Sequence, residues 1–137
     1  MEKVVIDASV AVKWFIEEEN SSVAQNLLQK HREQKIKILA PDILVLEVLN
    51  GLYYSAHFRR EDLHIIARRL FSFEIEYISL YEKLTSDAIK IVANYGITPY
   101  DSLFIALAEK ENCPLITADT KHHAKKYSKK IKHLDEI

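Results

Sequence analysis

Apolar residues in this chain fall into short β-branched runs separated by stretches with helical spacing. Val4-Val5-Ile6 is such a run and ends on an acid, which predicts a buried strand over Val4–Asp7. From Ser9 to Ile16 the pattern turns helical. A second helix is predicted to start at Asn20-Ser21-Ser22, with Val23, Ala24, Leu27 and Leu28 on one face. Ile36–Ala40 reads as a second strand, stopped by Pro41. Asp42 stands where it would cap a helix from Ile43 to about Ala56, and Glu61 to Phe71 continues helically. Ile75, Tyr77 and Ser79 alternate with Glu76 and Ile78, which suggests a third strand. Thr85 to Tyr95 is a predicted helix closed by Gly96. Thr98-Pro99 opens the next, with Thr98 as cap and Pro99 at the first helical position. Leu115–Thr117 is a fourth strand. The lysine-rich stretch after it reads as a short helix, and Ile131–Leu134 as a final strand.

Strands separated by helical segments imply an α/β fold, a three-layer α/β/α sandwich around a central parallel sheet. The 137 residues suit a single domain with a core of its own. In sheets of this kind ligands gather beyond the carboxyl ends of the strands. That edge is where the chemistry should be sought.

Composition narrows the class. Hydrophobic residues make up 48% of the chain, which excludes a disordered segment. The formal net charge is −1, so no global field advertises a nucleic-acid partner. The distribution is less even than the total: Lys121 to Lys132 holds six lysines and no acid. A single cysteine, Cys113, rules out an intrachain disulfide and fits a reducing compartment. The first residues lack a signal peptide's apolar core, and no apolar run reaches the length of a membrane span. A cytoplasmic protein without a membrane partner is expected.

Four acids stand where a carboxylate is hardest to explain as ordinary surface. Asp7 closes the first strand, Glu47 interrupts Ile43-Leu-Val-Leu-Glu-Val-Leu49, Asp101 precedes Leu103-Phe-Ile-Ala-Leu-Ala108, and Asp119 closes Leu115-Ile-Thr-Ala-Asp119. Singly, Asp7, Asp101 and Asp119 have bland readings as helix caps or partners of a helix macrodipole. Glu47 has one as well, an internal hydrogen-bond network with Asn50, but the functional reading is favoured because its neighbours make the helix look apolar nearly all round and a buried glutamate is rare unless paired. Asn50 lies three residues on, on the same face. Together the four would repel one another unless neutralised, and no lysine or arginine lies inside their motifs. A hard divalent cation on oxygen ligands accommodates them all, which points to metal-dependent chemistry on a phosphate.

These motifs resemble a known family. Val-Val-Ile-Asp7-Ala-Ser9, Pro41 followed by Glu47-Val-Leu-Asn50, Thr98-Pro-Tyr-Asp101-Ser-Leu-Phe-Ile-Ala106 and Leu-Ile-Thr117-Ala-Asp119 look like the PIN domain, in the order seen in VapC-type toxins of toxin–antitoxin pairs. The resemblance covers almost the whole chain. It implies a ribonuclease using Mg2+ or Mn2+, with Asp7, Glu47, Asp101 and Asp119 as both catalytic quartet and metal ligands. Ser9, Asn50 and Thr117 would support them. It further implies an antitoxin peptide as partner, a homodimer, and RNA as substrate. Lys121, Lys125 and Lys126, directly after the fourth acid, would meet RNA phosphate; the competing reading is a solvated charged face. One departure stands out: about three positions after the fourth acid, where the family often has an apolar residue, this chain has His122-His123.

The six histidines show no ligand spacing and read as surface or packing residues. Three rival functions remain in the pattern. An aspartyl-phosphate enzyme is disfavoured because Ser9 stands where a second aspartate would be needed. A non-catalytic PIN-like binding module would usually have lost an acid. A nuclease acting on DNA would carry the same site.

Overall fold

The computed structural model describes all 137 residues. In chain order the elements are β1 (Glu2–Ile6), α1 (Ala8–Ala11), α2 (Ser21–Arg32), β2 (Ile36–Pro41), α3 (Ile43–Tyr53), α4 (Leu63–Ser72), β3 (Glu76–Ile78), α5 (Glu82–Tyr95), α6 (Pro99–Glu111), β4 (Leu115–Thr117) and β5 (Ile131–His133). All strand pairings are parallel, in the order β3-β2-β1-β4-β5. The chain thus starts in the middle, builds outward through β2 and β3, then crosses back to place β4 and β5 on the other side of β1. The order reverses between β1 and β4, and such a reversal leaves a crevice at the strands' carboxyl ends.

Consecutive side chains of a strand point to opposite faces. Val4, Val5 and Ile6 are all buried, as are Ile38, Leu39 and Ala40, so both faces of the central strands are covered. This is the expected α/β/α sandwich. The helix α6 lies along β1, β2 and β4 and pairs with α5, while α1 packs on α3 and α3 on α4. Every residue of α6 from Ser102 to Ala108 is buried, which makes it a core helix rather than an amphipathic one. Each fully buried leucine or phenylalanine there contributes about 1.5–3 kcal/mol.

Two helix boundaries are set by the predicted chemistry. Gly96 closes α5 in the left-handed region at φ 67. Thr98 caps α6, accepting from the Asp101 amide at 3.2 Å, with Pro99 at the helix start.

Other boundaries differ from expectation. The first helix is only Ala8–Ala11 followed by a 3-10 turn at Val12–Trp14. The Trp14 indole N–H, which donates to the Ala24 carbonyl at 2.9 Å, pulls this turn against α2. The helix read from Thr85 begins at Glu82. Asp42 does not cap α3 through its side chain. That helix is not buried all round, since Leu46 and Asn50 face solvent.

The largest correction concerns the lysine-rich stretch. It is not a helix but a turn, a single 3-10 turn at Lys125–Tyr127 and then β5. Only the segment 118–130 connects parallel neighbours β4 and β5, and their ladder fixes Ile131 against Leu115. Asp119 Oδ1 accepts the amides of Lys121 and His122 at 3.0 Å each, which tightens the turn at its start. Local lysine propensity yields to these long-range bonds.

Candidate active site

The carboxyl end of β1 delivers Asp7 into the crevice. Its backbone stands at the start of α1, but its side chain makes no cap bond, so the capping reading fails. Asp7 is 4% exposed. Its Oδ1 accepts from the Ser9 hydroxyl, and its Oδ2 accepts from the Thr117 hydroxyl of the neighbouring β4. The register explains the second bond, because Ile6 pairs with Ile116 and the next residues meet. Ser9 also accepts from the Ala118 amide at 2.8 Å, and Thr117 from the Asp119 amide at 2.9 Å. These two hydroxyls lock the ends of β1 and β4 together.

Three other acids arrive from separate elements. Glu47 comes from α3, Asp101 from the first turn of α6, and Asp119 from just beyond β4. All four line one cavity of about 70 Å³, together with Ala8, Ser9, Phe104 and His123. Asp101 is steadied by Thr98, whose hydroxyl donates to Oδ2 at 3.0 Å while accepting the Asp101 amide. Asp119 keeps part of its bland reading, since it does organise the turn that follows it. Its Oδ2 also lies 2.7 Å from Nδ1 of His122. Burial alone would raise the Asp119 pKa, but the amide and ring donors of His122 and the Lys121 amide hold it below the usual range.

Glu47 behaves differently. Its Oε1 is the one buried side-chain oxygen or nitrogen with no hydrogen-bond partner. Its pKa is pushed up to about 7, first by burial, then by the charges of Asp101 and Asp7. A carboxylate oxygen without a partner, crowded by two other acids, is what residues arranged around a cation would present.

The donor set fits a hard divalent ion, being all oxygen apart from the histidines at its border. The fit has a limit. No three of the four acids bring oxygens within 4.8 Å of one another; the only three donors that do are His133, Asp135 and Glu136 near the C-terminus, outside the cavity. Fewer than three direct carboxylate ligands, completed by water, matches the habit of Mg2+.

Of the supporting residues, Ser9 and Thr117 are bonded to Asp7 and close the site. Asn50 is exposed and does not line the cavity, because one helical turn carries it past the crevice. Lys121, Lys125 and Lys126 are exposed. Lys125 is engaged by Glu136, and Lys126 lies 5.4 Å from the Tyr127 ring centroid.

The residue that sequence reasoning missed is His123. Read with the others as a surface or packing group, it is buried, its side chain 3% exposed, and beyond packing its Nδ1 lies 2.6 Å from Asp7 Oδ2. Burial opposes its protonation, but the bond and charge of Asp7 prevail and raise its pKa. A signal was present: it follows the fourth acid where an apolar residue was expected, and a polar ring in a buried position needs a partner.

A family model described as the PIN domain matches residues 4–129 of the chain. Ribonuclease VapC3 of Pyrobaculum aerophilum is 28% identical over 121 residues, covering 85% of this chain and 89% of that protein. Among solved structures, PAE2754 from Pyrobaculum aerophilum aligns with a TM-score of 0.66 at 19% identity, over 98% of this chain and 92% of that one. The DNA-bound VapBC from Salmonella typhimurium aligns at 0.71 and 16% identity, over 98% of this chain and 99% of that one. VapC20 of Mycobacterium tuberculosis, described as a sarcin-ricin loop cleaving toxin, aligns at 0.67 and 12% identity, over 87% and 92%.

Proposed function

The chain belongs to the PIN-domain family, and on that premise we propose that it is a metal-dependent endoribonuclease, the toxin of a toxin–antitoxin pair. The observation that carries this reading is the acidic cavity itself, above all the partnerless oxygen of Glu47 beside Asp7 and Asp101. The similarity to a ribonuclease VapC and to toxin–antitoxin complexes supports the substrate and partner classes. An antitoxin protein, a homodimer, a cytoplasmic setting and one PIN-like domain complete the proposal. The described chain contains no helix long and apolar enough to cross a membrane, and its single cysteine is consistent with a reducing compartment.

Asp7, Asp101, Glu47 and Asp119 would hold Mg2+ or Mn2+. When bound, such an ion makes water acidic enough to serve as a nucleophile near neutral pH and offsets charge on the phosphate. The chain's own residues prepare that site. Ser9 and Thr117 orient Asp7 through its two oxygens. Thr98 fixes Asp101 at the mouth of α6. Phe104 supplies an apolar wall of the cavity. Lys121 and Lys126, both exposed beyond Asp119, would draw the RNA backbone to the cavity mouth, with Lys125 contributing less because Glu136 already engages it.

The test is cleavage of RNA by purified protein with Mg2+ or Mn2+, its loss in EDTA, and its recovery on adding the ion back. Asp7→Asn preserves shape while removing charge and should lower the rate by about 100-fold or more. A folded Asp7→Asn variant that cleaves like the parent overturns the assignment.

A further inference from the structure

Between Asp7 and Asp101 there is one hydrogen-bonded bridge, and it is the ring of His123. Nδ1 lies 2.6 Å from Oδ2 of Asp7, and Nε2 lies 3.1 Å from the main-chain oxygen of Asp101. Both facing atoms are acceptors, so both ring nitrogens donate. The ring sits edge-on to Phe104, with centroids 5.9 Å apart, and is closed off from solvent. Its two bonds join elements distant in sequence: the end of β1 and the first turn of α6. Asp7 and Asp101 share no other hydrogen-bonded neighbour, since Ser9 and Thr117 serve the first and Thr98 the second.

A carboxylate offers about four acceptor sites. Ser9, Thr117 and His123 occupy three on Asp7, leaving one for a cation. The ring therefore restricts both where the Asp7 carboxylate stands and which of its lone pairs is open. Groups that orient ligating side chains in this way typically change metal affinity when removed.

We propose that His123 is a positioning residue of this site, tying the Asp7 carboxylate to the main chain at Asp101 and so setting the spacing that a divalent cation meets. The assignment rests on the metal-dependent reading of the acidic cavity and adds to it a specific role for a ring at the cavity's border.

The experiment measures Mn2+ binding to the purified full chain by calorimetry, with thermal unfolding of each metal-free variant alongside. His123→Phe keeps the packing against Phe104 and removes both bonds. It should fold and bind Mn2+ about 10–100-fold more weakly. His123→Asn, whose amide nitrogen takes the place of Nδ1, should recover most of the lost affinity, as a purely packing role would not. If the phenylalanine variant does not fold, His123→Gln makes the same comparison, because its amide matches Nε2 and leaves Asp7 without that donor. Mn2+ affinity in the phenylalanine (or glutamine) variant within about twofold of the parent, well under the usual effect of such groups, overturns the proposal. So does an asparagine variant no better than the one lacking the bond to Asp7. Asp7→Asn separates this failure from a deeper one: if it binds Mn2+ as the parent does, the metal-dependent reading itself falls. If it alone loses binding, only the role of His123 falls.

Discussion

Glu47 keeps its proton to about pH 7 because burial and the charges of Asp101 and Asp7 all penalise its ionised form. An unfolded glutamate titrates at an ordinary value of 4.5. Between these values the folded chain binds a proton that the unfolded chain has released. Stability should therefore fall as pH rises from about 4.5 to about 7, and be regained on acidification. Urea unfolding in EDTA across that window checks the sign, and Glu47→Gln should remove this part of the slope. Adding Mg2+ should offset the loss at the upper end, since an ion that binds only the folded chain stabilises it. Asp7 has three donors and Glu47 has none on its buried oxygen, so a cation would satisfy an unmet acceptor chiefly at Glu47.

The elements that carry these acids were unequally readable. Runs such as Val4-Val5-Ile6 and Leu115-Ile-Thr117 are short, apolar and β-branched, and strands buried on both faces leave that mark. Thr98-Pro99 announced α6 because capping is local chemistry. The Thr98→Ala variant should cost about 1 kcal/mol in chemical unfolding and weaken cleavage further, because the same hydroxyl steadies Asp101. Leu107→Ala, in the buried centre of α6, should cost about 2–5 kcal/mol while leaving the cavity residues in place. The stretch after Asp119 was misread because its order comes from partners distant in sequence. Ser128 meets Glu109 and Lys130 meets Asn112, and neither pair has a local pattern. The four acids were legible because each interrupts or borders an apolar run. His123 was passed over because six histidines show no ligand spacing, and its place after the fourth acid, where an apolar residue was expected, was not weighed as a sign of burial. Asn50 was overread: helical spacing gives a face, but not where along the helix the crevice ends.

On the scale of the whole molecule, a nearly neutral chain collects basic charge beside an acidic cavity. Replacing both Lys121 and Lys126 by glutamine should raise KM for RNA with little change in kcat. The salt dependence of binding should flatten by roughly one unit of log–log slope for each phosphate contact removed. A filter-binding series over several salt concentrations measures it. The sheet order makes the site a product of the entire chain: β1 and β4 are hydrogen-bonded neighbours, while Asp7 and His123 stand 116 positions apart in sequence.

That separation governs when the site can form. Asp7 lies at the end of β1, but the strand that must lie beside it and the turn bearing Asp119 and His123 come only after α6. A chain interrupted before β4 therefore carries Asp7 without Thr117 and His123, and the cavity cannot form. A single break anywhere between β1 and that turn would thus part the two halves of one cavity.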